Sequence, residues 1–96
     1  MNVLITYDVN TQTDAGRKRL HMVAKICEGY GVRVQNSVFE FDINRTSFER
    51  LKLRLLGTID IDKDSLRVYF LRGSRKSFIE THGIDHFIDL SGPLVI

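Results

Sequence analysis

Residues 32 to 42 read VRVQNSVFEFD, and this stretch decides the fold. Both of its ends read as strand, rich in β-branched and aromatic residues, but Gln35, Asn36 and Ser37 place three polar residues at its centre. One bulged strand and two shorter strands both satisfy that pattern, so at this level the choice stays open.

Toward the N-terminus, Leu20, Val23, Ala24, Cys27 and Tyr30 recur at helical spacing, while Arg17, Lys18, Arg19 and Lys25 fall mainly elsewhere. That predicts a helix over 14 to 30, capped by Thr13 or Asp14 and ended by Gly29 and Gly31. Before it, residues 2 to 7 (NVLITY) are a short apolar run that stops at Asp8 and a polar loop, Asn10 to Thr13. The pattern is that of a buried first strand delivering Asp8 to its C-terminal edge.

Toward the C-terminus, Thr46 and Glu49 have capping-box spacing. The helix they open presents Phe48, Leu51, Leu55 and Leu56, with Leu53 widening the stripe, until Gly57 and Asp60 loosen it. Residues 65 to 71 (SLRVYFL) read as a third strand, buried on at least one face, and Ser77 to His82 as one short helical turn. Phe87, Ile88 and Leu90 suggest a further strand, and Leu94, Val95 and Ile96 leave an apolar end after Gly92 and Pro93.

The order is therefore strand, helix, strand or hairpin, helix, strand, with a strand-like tail. Two helices cover one face of such a sheet, which gives an α+β two-layer sandwich of the ferredoxin kind spanning residues 1–96 as one domain. An apolar tail left in water is unfavourable, so residues 85–96 are expected to dock on a second subunit of a symmetric homodimer, with a frayed terminus as the alternative.

Composition narrows the classes. A chain of 96 residues, 43% apolar and 27% charged, has material for one small core and none for a second domain. Its single cysteine, Cys27, allows neither an intrachain disulfide nor a zinc knuckle, and favours a reducing, cytoplasmic home. No basic leader and no 18-residue apolar run point to secretion or to a membrane. Net charge is +2, shared evenly by the two halves, so a polyanion site has to be assembled by folding.

Walker loops, GxGxxG, HExxH and paired cysteines are all missing, which removes most familiar enzyme classes. Asp8 stands out because a carboxylate at a strand end can hold a hard divalent cation outside the core, although turn formation is the ordinary role of an Asp there. One carboxylate makes a poor magnesium site, and two-fold symmetry bringing two Asp8 together removes the objection. Arg17 and Arg19 in the first turns of helix one hint at phosphate binding, although a solvated helix face is the ordinary role of such a pair, and Arg33, Arg67, Arg72, Arg75 and Lys76 extend the basic set. His21, His82 and His86 lack a metal spacing and are read as surface or packing residues. Tyr7, Phe39 and Tyr69 are read as core aromatics, with Phe39 near Ser37 able to flank a cleft.

Tyr7, Asp8 and Val9 at the first strand end, Arg17 and Arg19 on helix one, and the run Gln35 to Glu40 together resemble the small CRISPR-associated endonuclease, the adaptation subunit that works beside the CRISPR integrase. The string Asp64 to Tyr69 and the Gly92, Pro93, Leu94 ending extend the resemblance over nearly the whole chain. It implies a ferredoxin-like homodimer in which the C-terminal strand of one subunit joins the sheet of the other. It also implies a magnesium-dependent phosphodiesterase whose Asp8 lies near its symmetry mate. Some members cut single-stranded RNA, some cut double-stranded DNA, and others serve as structural parts of the spacer-integration complex. The TYDVNT and RVQNSVFE strings are most similar to the compact members associated with duplex DNA cleavage, though the loop from Val9 to Thr13 is longer.

The expectation is thus an endonuclease of double-stranded DNA acting in CRISPR spacer acquisition, with single-stranded RNA cleavage and a noncatalytic scaffold as alternatives. Asp8 is the expected catalytic and Mg²⁺ residue. Tyr7, Arg17, Arg19, Arg33, Ser37, Phe39, Arg72, Arg75 and Lys76 are the expected nucleic-acid-binding or site-shaping set.

Overall fold

In the computed structural model, which describes residues 1–84, the first apolar run becomes the strand around which everything else is arranged. The order is β1 (Asn2–Asp8), α1 (Asp14–Glu28), β2 (Val32–Gln35), β3 (Val38–Asp42), α2 (Arg45–Thr58), β4 (Ser65–Leu71) and α3 (Arg75–Phe78). The four strands form one sheet in the order β2-β3-β1-β4, and every pairing is antiparallel. This is the ferredoxin-like α+β topology expected from the element order.

The ambiguous stretch resolves as a hairpin. Asn36 and Ser37 form the turn, and the pairing also slips between Arg33 and Gln35, so the polar centre both breaks the strand and distorts its first arm. β1 alternates strictly: Val3, Ile5 and Tyr7 are buried, while Asn2, Leu4 and Thr6 are half-buried on the other face. The buried set meets Phe39 and Phe41 of β3, then Val23, Ile26 and Cys27 of α1 and Phe48, Leu51 and Leu55 of α2. Tyr7, Phe39 and Phe41 stack in series, with ring centroids 6.2 Å apart at each step.

Several local expectations need correction. α2 starts at Arg45 rather than at the capping box, because the Asn44 side chain accepts from the Ser47 amide at 2.8 Å and caps the helix two residues early. Glu49 is then free to pair with Lys52 at 3.0 Å. Leu53 and Leu56 are exposed: Leu53 lies about 200° around the helix from Leu51, on the solvent side of a stripe made by residues 48, 51 and 55. α3 comes two residues earlier than expected, since Gly73 at φ +85° turns the chain out of β4 and Ser74 opens the helix. β4 has no fully buried residue; Leu66 and Val68 pack on the core but stay half-exposed on a strand that, among the described residues, lies at the sheet edge. The expected strand at 87–90 and the docking tail lie outside the described residues.

α1 begins as expected, with Thr13 Oγ1 accepting from the Gly16 amide at 3.0 Å. Both long helices lie on one face of the sheet. On the opposite face Leu4 sits between Glu40 and Tyr69, and Tyr69 is exposed. Cys27 is fully buried, and burial pushes its thiol up to about 12, which makes it a packing residue and an inert thiol. Among the described residues no helix is long and apolar enough to cross a membrane.

Candidate functional site

The antiparallel pairing of β1 with β4 places the end of one strand beside the start of the other, Asp8 opposite Ser65. The charge-dense turn before β4 is thereby brought to the strand end that carries Asp8. Together they line a cleft of about 410 Å³ formed by Asp8, Asn10, Asp62, Lys63, Asp64 and Ser65. The Asp8 carboxylate is exposed and has no hydrogen-bond or ion-pair partner among the described residues. An unengaged carboxylate at the mouth of a polar cleft is available to a cation or a phosphate-bound water.

Asp64, at the wall of the same cleft, is the opposite case. Its side chain is fully buried and receives Arg19 through Nε at 2.8 Å and Nη2 at 3.2 Å, the Asn10 amide at 3.0 Å and the Asp60 amide at 2.8 Å. The Arg19 hydrogen bonds, helped by the two amides against the effect of burial, lower the carboxyl to about 2. Arg19 is therefore engaged by protein, with its fork closed on a carboxylate rather than open to a phosphate.

The remaining expected residues divide by position. Arg17 is exposed near the cleft, pairs with Asp14 one turn back and donates to the Thr11 carbonyl at 3.1 Å. Arg33 lies over the Phe39 ring, 5.2 Å from its centroid, and reaches Glu28 at 3.6 Å. Phe39 itself is 0% exposed, so in this fold it shapes the site only through packing. Tyr7 is buried beside Asp8, its hydroxyl donating to the Asn36 carbonyl at 3.3 Å; burial raises its phenol above the ordinary value, with Arg33 opposing. Ser37 closes the hairpin turn at this same end, where its carbonyl accepts from the Tyr7 amide at 3.1 Å.

Arg72, Arg75 and Lys76 are elsewhere. Leu71 pairs with Asn2 at the start of β1, and the Asn2 side chain donates to the Gly73 carbonyl at 2.9 Å. The RGSRK loop is thus about 20 Å from Asp8, the length of the seven-residue strand. Arg75 also closes on Glu40 at 2.7 Å, while Arg72 and Lys76 are exposed. A single chain does not join this loop to the Asp8 cleft.

Magnesium takes six oxygens, keeps several waters and uses one or two carboxylates. Among the described residues there is no group of three or more His, Cys, Asp or Glu able to hold a metal. Asp8, whose carboxylate has no partner among the described residues, offers one carboxylate oxygen donor of the kind such a water-rich site uses. Sequence reasoning missed Asp62, Lys63 and Asp64 as cleft residues; the signal was the acidic and basic turn IDIDKDS directly ahead of a strand antiparallel to β1.

Comparison with known proteins bears on the family and the fold. The family model described as CRISPR associated protein Cas2 matches residues 1–78. A protein of Moorella thermoacetica named CRISPR-associated endoribonuclease Cas2 1 is 52% identical over 96 residues, covering all of both chains. One of Halalkalibacterium halodurans, named CRISPR-associated endonuclease Cas2, is 52% identical over 95 residues and 99% of both. The crystal structure of Streptococcus pyogenes Cas2 at pH 6.5 superimposes with a TM-score of 0.77 at 53% identity, over 86% of this chain and 100% of that one.

Proposed function

Because the chain belongs to the family of the CRISPR-associated protein Cas2, we propose that it is a homodimeric, magnesium-dependent endonuclease that cleaves double-stranded DNA in CRISPR spacer acquisition, beside the integrase subunit. The observation that carries the reading is Asp8: an exposed carboxylate without a partner among the described residues, at a strand end, lining a polar cleft. Two such groups related by a two-fold axis supply the two carboxylates that one hard cation accepts.

A dimer is supported by the sheet. On the face opposite the helices Tyr69 is exposed beside the half-buried Leu4, and among the described residues the outer edges of β2 and β4 are unpaired. A C-terminal strand from a second copy has an edge to join.

Bound magnesium would supply an activated water and charge neutralisation at the phosphoryl oxygens. Asp8 holds its own share of that site. Lys63, in the same cleft, and the exposed Arg17 at the start of α1 attract and orient the phosphate backbone, which gives affinity without base preference. Tyr7 and Ser37 fix the strand end and the hairpin turn against each other, so Asp8 leaves a rigid base.

Single-stranded RNA is the second reading, favoured by the endoribonuclease name of the Moorella relative. The test is cleavage of both substrates across a magnesium series, by wild type and Asp8→Asn prepared without integrase. Magnesium-dependent duplex cleavage by wild type, lost in a folded Asp8→Asn dimer, is expected. RNA cleavage alone moves the substrate to the second reading. Wild type inert on both leaves the noncatalytic scaffold.

A further inference from the structure

The loop that follows Asp8 is gripped from two sides. On one side the buried Asp64 takes the Asn10 amide at 3.0 Å and, through its other oxygen, the Asp60 amide at 2.8 Å. One carboxylate thus ties the chain two residues beyond Asp8 to the turn that forms the facing wall of the cleft. Arg19 closes the remaining lone pairs from α1, and its side chain is only 17% exposed. On the other side Gly16 lies so close under the loop that a Cβ there would stand 1.9 Å from the Asn10 carbonyl oxygen and 3.0 Å from its carbon. The Asn10 side chain in turn accepts from the Gln12 amide at 3.0 Å, which fixes the loop's own curvature.

We propose that Asp64, oriented by Arg19, is a positioning residue for Asp8: with Gly16 it sets the height and direction of the strand end from which the Asp8 carboxylate enters the cleft. The proposal rests on the nuclease reading for its kinetic consequence and on geometry alone for its structural one. It also reassigns Arg19, from a phosphate contact to the element that holds Asp64 in place. A shift of about 1 Å in a reacting group is enough to cost about a hundredfold in rate. The same shift leaves backbone binding, which is spread over many charges, largely intact.

The test compares wild type with Asp64→Asn, which puts an amide donor among donors, Arg19→Lys, which keeps the charge but loses the fork, and Gly16→Ala, which moves the loop without touching any charge. Three readouts are taken below the melting temperature of the weakest variant: kcat and KM on the cleaved substrate, hydrogen exchange of the Asn10 and Asp60 amides, and the amide resonances of Asp8 and Val9. The expected result is a kcat lowered about tenfold or more in Asp64→Asn and Gly16→Ala with KM within about twofold. Faster Asn10 exchange in Asp64→Asn and displaced Asp8 and Val9 resonances in both variants should accompany it, with a smaller change of the same kind in Arg19→Lys. Unmoved Asp8 and Val9 resonances in Asp64→Asn and Gly16→Ala would overturn the proposal, as would a raised KM with unchanged kcat in Arg19→Lys, the mark of a lost phosphate contact. If wild type proves inactive, the nuclease reading fails by itself, and exchange and resonances alone decide whether Asp64 positions Asp8.

Discussion

The two ends of β1 carry charge in opposite ways. At the Asp8 end a buried, fully bonded carboxylate stands beside an exposed one that has no partner among the described residues, and nearby Arg19 is spent on the buried carboxylate. At the Asn2 end the charge is basic and lies mostly on the surface, with Arg72 and Lys76 exposed and Arg75 turned back onto Glu40. The difference separates ordering from availability. A charge closed by protein donors fixes geometry, whereas one left in solvent can meet a ligand, and the Asp8 end holds one of each within a single cleft.

Removing the available charge should therefore cost function and not stability. Asp8→Asn is expected to lower cleavage at least about a hundredfold, while thermal unfolding moves by no more than a surface substitution allows, about 0.5 kcal/mol. Cleavage rates and a melting curve on the same preparation check both halves. Removing an ordering group should do the reverse. Phe39→Ala deletes the middle ring of the Tyr7, Phe39, Phe41 stack and should cost about 3–5 kcal/mol, read by urea unfolding; a loss below about 1 kcal/mol would return Phe39 to a surface role in the cleft.

Acid should dissolve the distinction. Because the folded Asp64 carboxyl is lowered to about 2, the stability it contributes is complete above the unfolded-state value of about 4 and is lost as pH falls through 2. The gap in unfolding free energy between wild type and Asp64→Asn should be constant near neutrality and shrink below about pH 4. A gap that stays fixed down to pH 2 would mean that the charge of Asp64 contributes nothing. The smallest effect belongs to the far end of β1. Replacing Arg72 and Lys76 by Gln should weaken duplex binding a few-fold for every sequence and flatten the salt slope by about 2, seen in anisotropy titrations, without touching kcat.

Legibility followed the distance over which partners act. β1 and α1 could be read because their signals are local: an apolar run ending at Asp8, and a 3.6-residue stripe over Leu20, Val23 and Cys27. The hairpin was only half legible, since Asn36 and Ser37 make an acceptable bulge as well as a turn, and pairing with β1 decides between them. The α2 cap was missed because Thr46 and Glu49 satisfy the pattern that Asn44 satisfies first. Asp8 was legible as a candidate from its place at the strand end. The Arg19 role was not, because its partner lies 45 residues away, and the Asn10 amide meets Asp64 across 54. The separation of the RGSRK loop from Asp8 likewise needed the β1 to β4 register, which no short string encodes.

The central claim is that cleavage needs two Asp8 carboxylates, one from each subunit of a two-fold dimer. Wild type and Asp8→Asn chains, tagged differently, are mixed in equal amounts, co-refolded so that subunits exchange, and assayed on duplex DNA with magnesium at constant total protein. Random pairing gives about one quarter of dimers with two Asp8 and about one half with one, so the mixture should retain about one quarter of wild-type activity. Retention of about one half, with mixed dimers shown to be present, would mean that each Asp8 works alone and would contradict the shared site.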